Sequence, residues 1–207
     1  MKREPLTIAL PKGRLFEQVQ EYFLTRGIEF SFEKRKLIAE DRSGRYRFYL
    51  VKNNDLPTYV FHGIAGMGIC GDDVIYESGR EFFKIMDFPF GGTRLSLAGP
   101  KGTVWPARER PLRIATSYTA MARDYFHRQG IPVDIIRLNG SVELAPALGL
   151  SRYIIDLVET GSTLKANGLE VLEDLFSIGV RLIANKSYYK VNYDRIESMV
   201  RNMEGAE

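Results

Sequence analysis

Apolar positions recur along this chain in two alternating rhythms. Residues 6–10, Leu-Thr-Ile-Ala-Leu, form a near-continuous apolar run, the pattern of a strand buried on both faces. Pro11-Lys12-Gly13-Arg14 breaks the run as a turn. Leu15, Val19, Tyr22 and Phe23 then return at helical spacing, so 15–25 is an amphipathic helix that Gly27 stops. Strand patterns follow at 36–40 and 46–51, joined by the hairpin-type turn Asp41-Arg42-Ser43-Gly44. Asn54-Asp55-Leu56-Pro57 offers a cap residue and an early proline, a helix start. A strand at 66–70, a tight turn at Gly71-Asp72-Asp73, a helix at 74–78 and a strand at 82–87 complete the first part.

Phe88-Pro89-Phe90-Gly91-Gly92 interrupts the pattern and reads as a crossover or hinge. Beyond it the pattern predicts strands at 93–98, 113–116 and 134–138, with a loop at 99–111 and a helix at 119–128 ended by Gly130. A helix capped by Ser141 comes next, then a strand from Tyr153 and a short helix stopped by Asn167-Gly168. Strands at 172–176 and 180–184 and a helix at 194–203 close the chain. Alternating strands and helices predict an α/β protein with mostly parallel sheets. The mid-chain hinge, and a last helix with no sheet of its own, predict two lobes with the chain crossing back: 1–90 with 178–207, and 91–177.

Composition narrows the function classes. At 207 residues the chain can bury a large core, and 44% hydrophobic with 27% charged residues is ordinary for a globular protein. A net charge of +3 and no long basic tract argue against nucleic acid as a partner. Cys70 is the single cysteine, so no intrachain disulfide is possible and a reducing compartment is expected. The N-terminal apolar run is too short for a signal peptide, and no other run could span a membrane. These readings predict a cytoplasmic protein.

The densest candidate chemistry lies at Asp156 to Leu169. One carboxylate, Asp156, interrupts an apolar strand, and a second, Glu159, stands at its end. Thr160, Gly161, Ser162 and Thr163 then lead into a helix. Strand, small hydroxyl-rich turn and helix is the arrangement that points N–H groups at an anion. Ordinary helix capping by Ser and Thr is the commoner explanation of such a turn. Asp156 favours the first reading, because a buried carboxylate is costly unless paired or used. The segment also resembles the phosphoribosyl-pyrophosphate loop of the common phosphoribosyltransferases, with Asp156 at the second acid of that motif and Ile155 replacing the first.

Other turns add candidates. Lys12 and Arg14 flank Gly13 where a helix begins, against the helix dipole; solvated side chains are the bland alternative. Asp72 and Asp73 are favourable helix-start acids, or contacts to a base or ribose. Glu143 follows a strand end in Asn139-Gly140-Ser141-Val142-Glu143. Arg42, Arg45 and Arg47 form either a solvated face or a triphosphate contact. His62 and His127 lack partners at ligand spacing and read as structural, Trp105 as loop packing, and no Ser-His-Asp set is present.

Together, Leu10 to Leu15 (L-P-K-G-R-L), the run 68–77 (G-x-x-G-x-D-x-x-x-E), 94–98 (R-L-S-L-A), 141–146 (S-V-E-L-A-P) and 156–169 (D-L-V-E-T-G-S-T-L-K-A-N-G-L) resemble the ATP phosphoribosyltransferase family. The motifs span nearly the whole chain in order. At 117–120 the chain has Ser-Tyr-Thr-Ala where the family often has a lysine and then Tyr-Pro-Asn. The resemblance implies two α/β lobes of the type II periplasmic-binding-protein kind, with the active site in the cleft between them. It implies transfer of a phosphoribosyl group from phosphoribosyl pyrophosphate to N1 of ATP, the opening step of histidine biosynthesis. Asp156, Glu159, Thr160, Gly161, Ser162 and Thr163 would then bind phosphoribosyl pyrophosphate. Lys12, Gly13, Arg14, Asp73 and Glu143 would bind ATP, with Asp156, Lys12 and Arg14 catalytic. Mg²⁺ would arrive on the substrate pyrophosphate rather than in a protein cage. The chain ends soon after its last helix and so resembles the short form, which implies a histidyl-tRNA-synthetase-like regulatory subunit around a catalytic homodimer. A non-catalytic two-lobed binding protein, or a phosphoribosyltransferase acting on a free base, are the competing readings.

Overall fold

A computed structural model describes residues 4–106 and 111–205. The predicted loop at 99–111 therefore lies partly outside the described residues. In chain order the elements are β1 (Leu6–Pro11), α1 (Arg14–Thr25), β2 (Ile38–Glu40), β3 (Tyr46–Val51), α2 (Leu56–Phe61), β4 (Met67–Gly71), α3 (Asp72–Glu77) and β5 (Phe83–Pro100). They continue with β6 (Leu112–Thr116), α4 (Thr119–Arg128), β7 (Val133–Arg137), α5 (Leu144–Ala147), β8 (Tyr153–Val158), α6 (Ser162–Ala166), β9 (Leu169–Ala184), α7 (Lys186–Val191) and α8 (Tyr193–Glu204). Two compact units divide the chain: Met1–Gly91 with Gly179–Glu207, and Gly92–Ile178. No helix among the described residues is long and apolar enough to cross a membrane.

In the first unit the strands run β2-β3-β1-β4-β9. The two-residue period of β1 sorts its side chains between two buried faces. Ile8 and Leu10 pack with Val19 and Phe23 of α1 and with Ile196, Met199, Val200 and Met203 of α8. Ala9 faces the other way, against Leu56, Val60, Val74 and Ile75 of α2 and α3. Each large side chain removed from water in this way contributes roughly 1.5–3 kcal/mol. In the second unit the strands run β9-β5-β8-β6-β7. Ala98, Ala115, Ile154 and Val158 pack beneath Ala145 of α5 and Leu164 of α6. On the helix α4, Met121, Ala122 and Phe126 are buried.

Several local expectations are corrected. The sheet is mixed rather than mostly parallel: β1 with β3 and β4, and β6 with β7 and β8, are parallel, whereas β2–β3, β4–β9 and β5–β8 are antiparallel. The predicted hinge at 88–92 does not interrupt its strand. Met86 and Phe88 are buried while Asp87 and Pro89 are exposed, and the backbone continues past Phe90 as one 18-residue strand, although the chain passes from one compact unit to the other between Gly91 and Gly92. Tyr22 holds Phe88 and Phe90 from α1, with ring centroids 5.5 and 5.4 Å away. The strands predicted at 172–176 and 180–184 are likewise a single strand, β9. No turn separates β4 from α3; Asp72 and Asp73 are themselves the first helical residues. Ser141 does not cap α5. It has a left-handed backbone, φ 49°, and the N-cap is Glu143.

Candidate active site

In the second unit, β8 delivers Asp156 and then opens into the turn 159–163. Asp156 lies on a half-buried stretch of β8, and its Oδ1 accepts the Leu157 N–H at 2.9 Å. Burial pushes its carboxyl up to about 6; the Leu157 N–H works against the rise and the negative charge of Glu143 adds to it. The structure therefore brings Glu143, at the start of α5, within electrostatic reach of Asp156, although they stand 13 positions apart in the chain. Glu159 is exposed.

The turn itself is not built as a helix cap. The N-cap of α6 is Gly161, left-handed at φ 71°, ψ 8°, with no side-chain capping bond. Such a φ is strained for any residue with a Cβ, and here glycine gives the turn its sharp reversal. Thr160 Oγ1 lies 3.0 Å from Ser162 Oγ and 3.4 Å from the Ser162 nitrogen. Thr160, Ser162 and Thr163 are all exposed. Hydroxyls thus converge on a glycine turn at the N-terminus of a helix, where the first N–H groups have no partner within the helix. This arrangement can receive an oxyanion.

The turn is also held from behind. Thr93 Oγ1 donates to the Val158 carbonyl at 3.2 Å. Thr116, fully buried at the end of β6, donates to the Ile155 carbonyl at 2.7 Å and accepts the Tyr118 N–H at 2.9 Å. Thr116 was not among the sequence candidates. Its signal is the one Asp156 gave, a polar side chain within an apolar strand.

In the first unit, Lys12, Gly13 and Arg14 are exposed at the carboxyl end of β1. Gly13 is left-handed at φ 94° and N-caps α1 without a side-chain cap, although a Cβ there would meet nothing within 4 Å. Backbone conformation, not crowding, calls for glycine. The Lys12 N–H donates to the Val51 carbonyl at 2.9 Å, which fixes the turn to β3. Asp73 lies in the first turn of α3, at the carboxyl end of β4, the parallel neighbour of β1. It is 4% exposed, and burial raises its carboxyl against the stabilising N–H groups of the helix start. Asp72 is engaged instead with Lys84 at 2.9 Å, with Arg181 at 3.0 Å and with the Gly179 N–H at 3.2 Å. Asp72 is thus tied to the neighbouring strands β5 and β9, while Asp73 is buried in the first turn of α3.

The arginine hairpin lies away from these turns. Parallel pairing sets Tyr46 beside Leu6 and Val51 beside Pro11, so Arg45 and Arg47 sit at the opposite end of β1 from Lys12. Arg42 pairs with Glu29 and Arg47 with Glu40, at 2.9 and 2.7 Å, which is the solvated-face reading. Tyr188, Tyr189 and Tyr193 pack locally: the Tyr188 hydroxyl accepts the Thr7 N–H and the Tyr189 hydroxyl donates to Glu197. Among the described residues no group of three or more His, Cys, Asp or Glu side chains could hold a metal ion.

Comparison with known proteins gives the same family throughout. The HisG family model, described as ATP phosphoribosyltransferase, matches residues 52–205. An ATP phosphoribosyltransferase from Caldicellulosiruptor saccharolyticus is 47% identical over 204 residues, covering 96% of this chain and 97% of the relative. Its counterpart from Clostridioides difficile is 43% identical over 201 residues, with the same coverage of 96% and 97%. Among solved structures, the ATP phosphoribosyl transferase (HisG:HisZ) complex from Thermotoga maritima has a chain with TM-score 0.83 and 37% identity, covering 97% of each chain.

Proposed function

The chain belongs to the ATP phosphoribosyltransferase family, and from that premise we propose how its residues divide the reaction. The enzyme transfers the phosphoribosyl group of phosphoribosyl pyrophosphate to N1 of ATP and releases pyrophosphate, the first step of histidine biosynthesis. Its fold is the mixed α/β fold of the type II periplasmic-binding-protein kind, and its length matches the short form, whose relatives it spans over 97% of their length. We assign the two compact units to the two lobes.

The observation that carries the site assignment is the turn Thr160-Gly161-Ser162-Thr163, with convergent hydroxyls and an uncapped helix start. It receives the 5′-phosphate. Asp156 and Glu159 lie on the ribose side. As the bond to pyrophosphate breaks, positive charge grows at the anomeric carbon, and an ionised Asp156 stabilises it. Lys12 and Arg14 offset the negative charge of pyrophosphate or of the ATP phosphates, and Gly13 lets the backbone approach them. Glu143 acts on the ATP side and through its field on Asp156. Asp73 shapes the nucleotide pocket by fixing the start of α3. No protein nucleophile takes part.

We take Mg²⁺ to arrive on the oxygens of the substrate pyrophosphate rather than in a cage of protein acids. When bound, Mg²⁺ would screen the charge of the leaving pyrophosphate. The partner we infer is a regulatory subunit like the HisZ of the Thermotoga maritima complex, and we take it to join a homodimer of this chain. A single cysteine, fully buried with its thiol pushed up by burial, suits a reducing cytoplasm.

Steady-state kinetics with both substrates test the assignment. Thr163→Val is expected to raise the Michaelis constant for phosphoribosyl pyrophosphate about tenfold, the loss of one bond to a charged oxygen, and to leave that for ATP unchanged. Lys12→Ala is expected to lower turnover. An unaltered constant in Thr163→Val would remove the cradle, and undiminished turnover in Lys12→Ala would remove that lysine.

A further inference from the structure

The segment from Asp156 to Thr163 carries two carboxylates and no cation. A phosphate seated there would meet like charge within the segment, and a cation beside the turn would favour it. The strand register supplies one. Arg94 is paired directly with Val158 across β5 and β8, so the two side chains share a face, with Cβ atoms about 5 Å apart in such pairs. Val158 is also what lies beneath the turn: its Cγ1 would sit 3.8 Å from a Cβ at Gly161. Arg94, Val158 and Gly161 therefore adjoin on the face that carries Asp156.

The surroundings of Arg94 form a polar row across three strands. Ser96 is paired with Asp156 on one side, and its buried hydroxyl donates to Asp174 Oδ1 of β9 at 2.7 Å on the other. Asp174 Oδ2 accepts Arg94 Nη1 at 2.6 Å. Ser96 thus fixes one carboxylate oxygen and leaves the other to orient Arg94. That ion pair engages a single nitrogen of a guanidinium with five N–H donors, and the pair is half exposed, at 51% and 41%. An exposed ion pair of this kind is weak enough to be exchanged for a phosphate.

We propose that Arg94 is a further substrate-binding residue, which exchanges its pairing with Asp174 for the phosphate seated in the turn 160–163. The proposal rests on the cradle assignment. It also gives a role to the 94–98 motif, which the other assignments leave without one. Asp174, in this account, is a positioning group and a competitor for the same guanidinium.

Equilibrium titration of the full chain with ribose 5-phosphate, which carries the 5′-phosphate without pyrophosphate, is the test. Arg94→Met is expected to weaken binding about tenfold and Arg94→Lys to recover part of the loss, while Asp174→Asn binds more tightly because the competing carboxylate is gone. Wild-type affinity in Arg94→Met, or equal weakening in Arg94→Met and Asp174→Asn, would overturn the proposal. Thr163→Val titrated alongside separates the two claims: if it weakens binding and Arg94→Met does not, the cradle stands and Arg94 falls. Should Arg94→Met fail to fold, Arg94→Lys against Asp174→Asn carries the same contrast.

Discussion

Asp156 is carried by an apolar strand, and its carboxyl titrates near 6 because burial disfavours the carboxylate and Glu143 adds a like charge. A folded-state value above the unfolded one means that folding binds a proton. The cost is absent below the unfolded value of 3.8 and fully present above about 6. Raising the value by that much corresponds to at most about 3 kcal/mol. Asp156→Asn keeps the acceptor for the Leu157 N–H and removes the charge. It is expected to melt higher than wild type at pH 8, with the advantage disappearing toward pH 4, and to lose most turnover. Thermal melts across that range check the stability half. An equal melting temperature at pH 8 would show that burial does not strain the carboxylate. The wild-type rate is expected to rise through pH 6 as Asp156 ionises. Asp156 was legible in the sequence because a charge in an apolar strand has few explanations. Asp72 and Asp73 were not separable there: which of two adjacent acids is buried depends on where α3 begins. Ser141 misled because a serine before a helix is usually a cap, and its left-handed backbone leaves no such trace.

At the scale of elements, the first residue of α3 proves to be an anchor for the strands around it. Asp72 takes Arg181 and the Gly179 N–H of β9 and Lys84 of β5, and Arg181 also reaches Asp87. Burial would raise the Asp72 carboxyl, but the bonds from Arg181 and Lys84 prevail and hold it below its ordinary value. Stabilisation of that sign is present above the unfolded value and is lost as pH falls through the folded one. Asp72→Asn is expected to cost about 1–2 kcal/mol at neutral pH, a fall of roughly 3–6 °C in melting temperature for a chain of this size. The deficit is expected to shrink below about pH 4. An unchanged melting temperature at pH 7 would make the cluster ornamental. Here the sequence was legible in part. The rhythm of β1, α1 and β8 placed them within a residue or two, since strands and amphipathic helices bury regular stripes. Gly and Pro at 88–92 read as a break because their local chemistry favours turns, and the pattern also left 177–179 out of the strands on either side. Packing of Phe88 and Phe90 on Tyr22, and the Asp72 bond to the Gly179 N–H, outweigh that preference. The helix α7 escaped notice, though Asn185 caps it through the Ser187 and Tyr188 N–H groups at 3.0 Å each.

For the whole molecule, the charge balance sets a further expectation. Both reactants are polyanions, yet the chain carries only +3. Attraction must therefore come from a few cations near the reactants, Lys12, Arg14 and Arg94 in this assignment, rather than from the overall field. Such local attraction is screened over about 10 Å at 0.1 M salt. The Michaelis constants for both substrates are expected to rise with ionic strength, and Lys12→Ala and Arg94→Met to flatten that rise. Pyrophosphate release supplies the complementary readout. In this assignment the adenine nitrogen attacks directly, with no covalent intermediate before it, so release should require ATP and phosphoribosyl pyrophosphate together. Mixing with the regulatory subunit should move the chain into a larger species on gel filtration and raise the rate. Release of pyrophosphate without ATP would point to hydrolysis or to a free base as acceptor. No release from the pair, with the partner bound, would mean that the turn holds a phosphate without committing it to reaction.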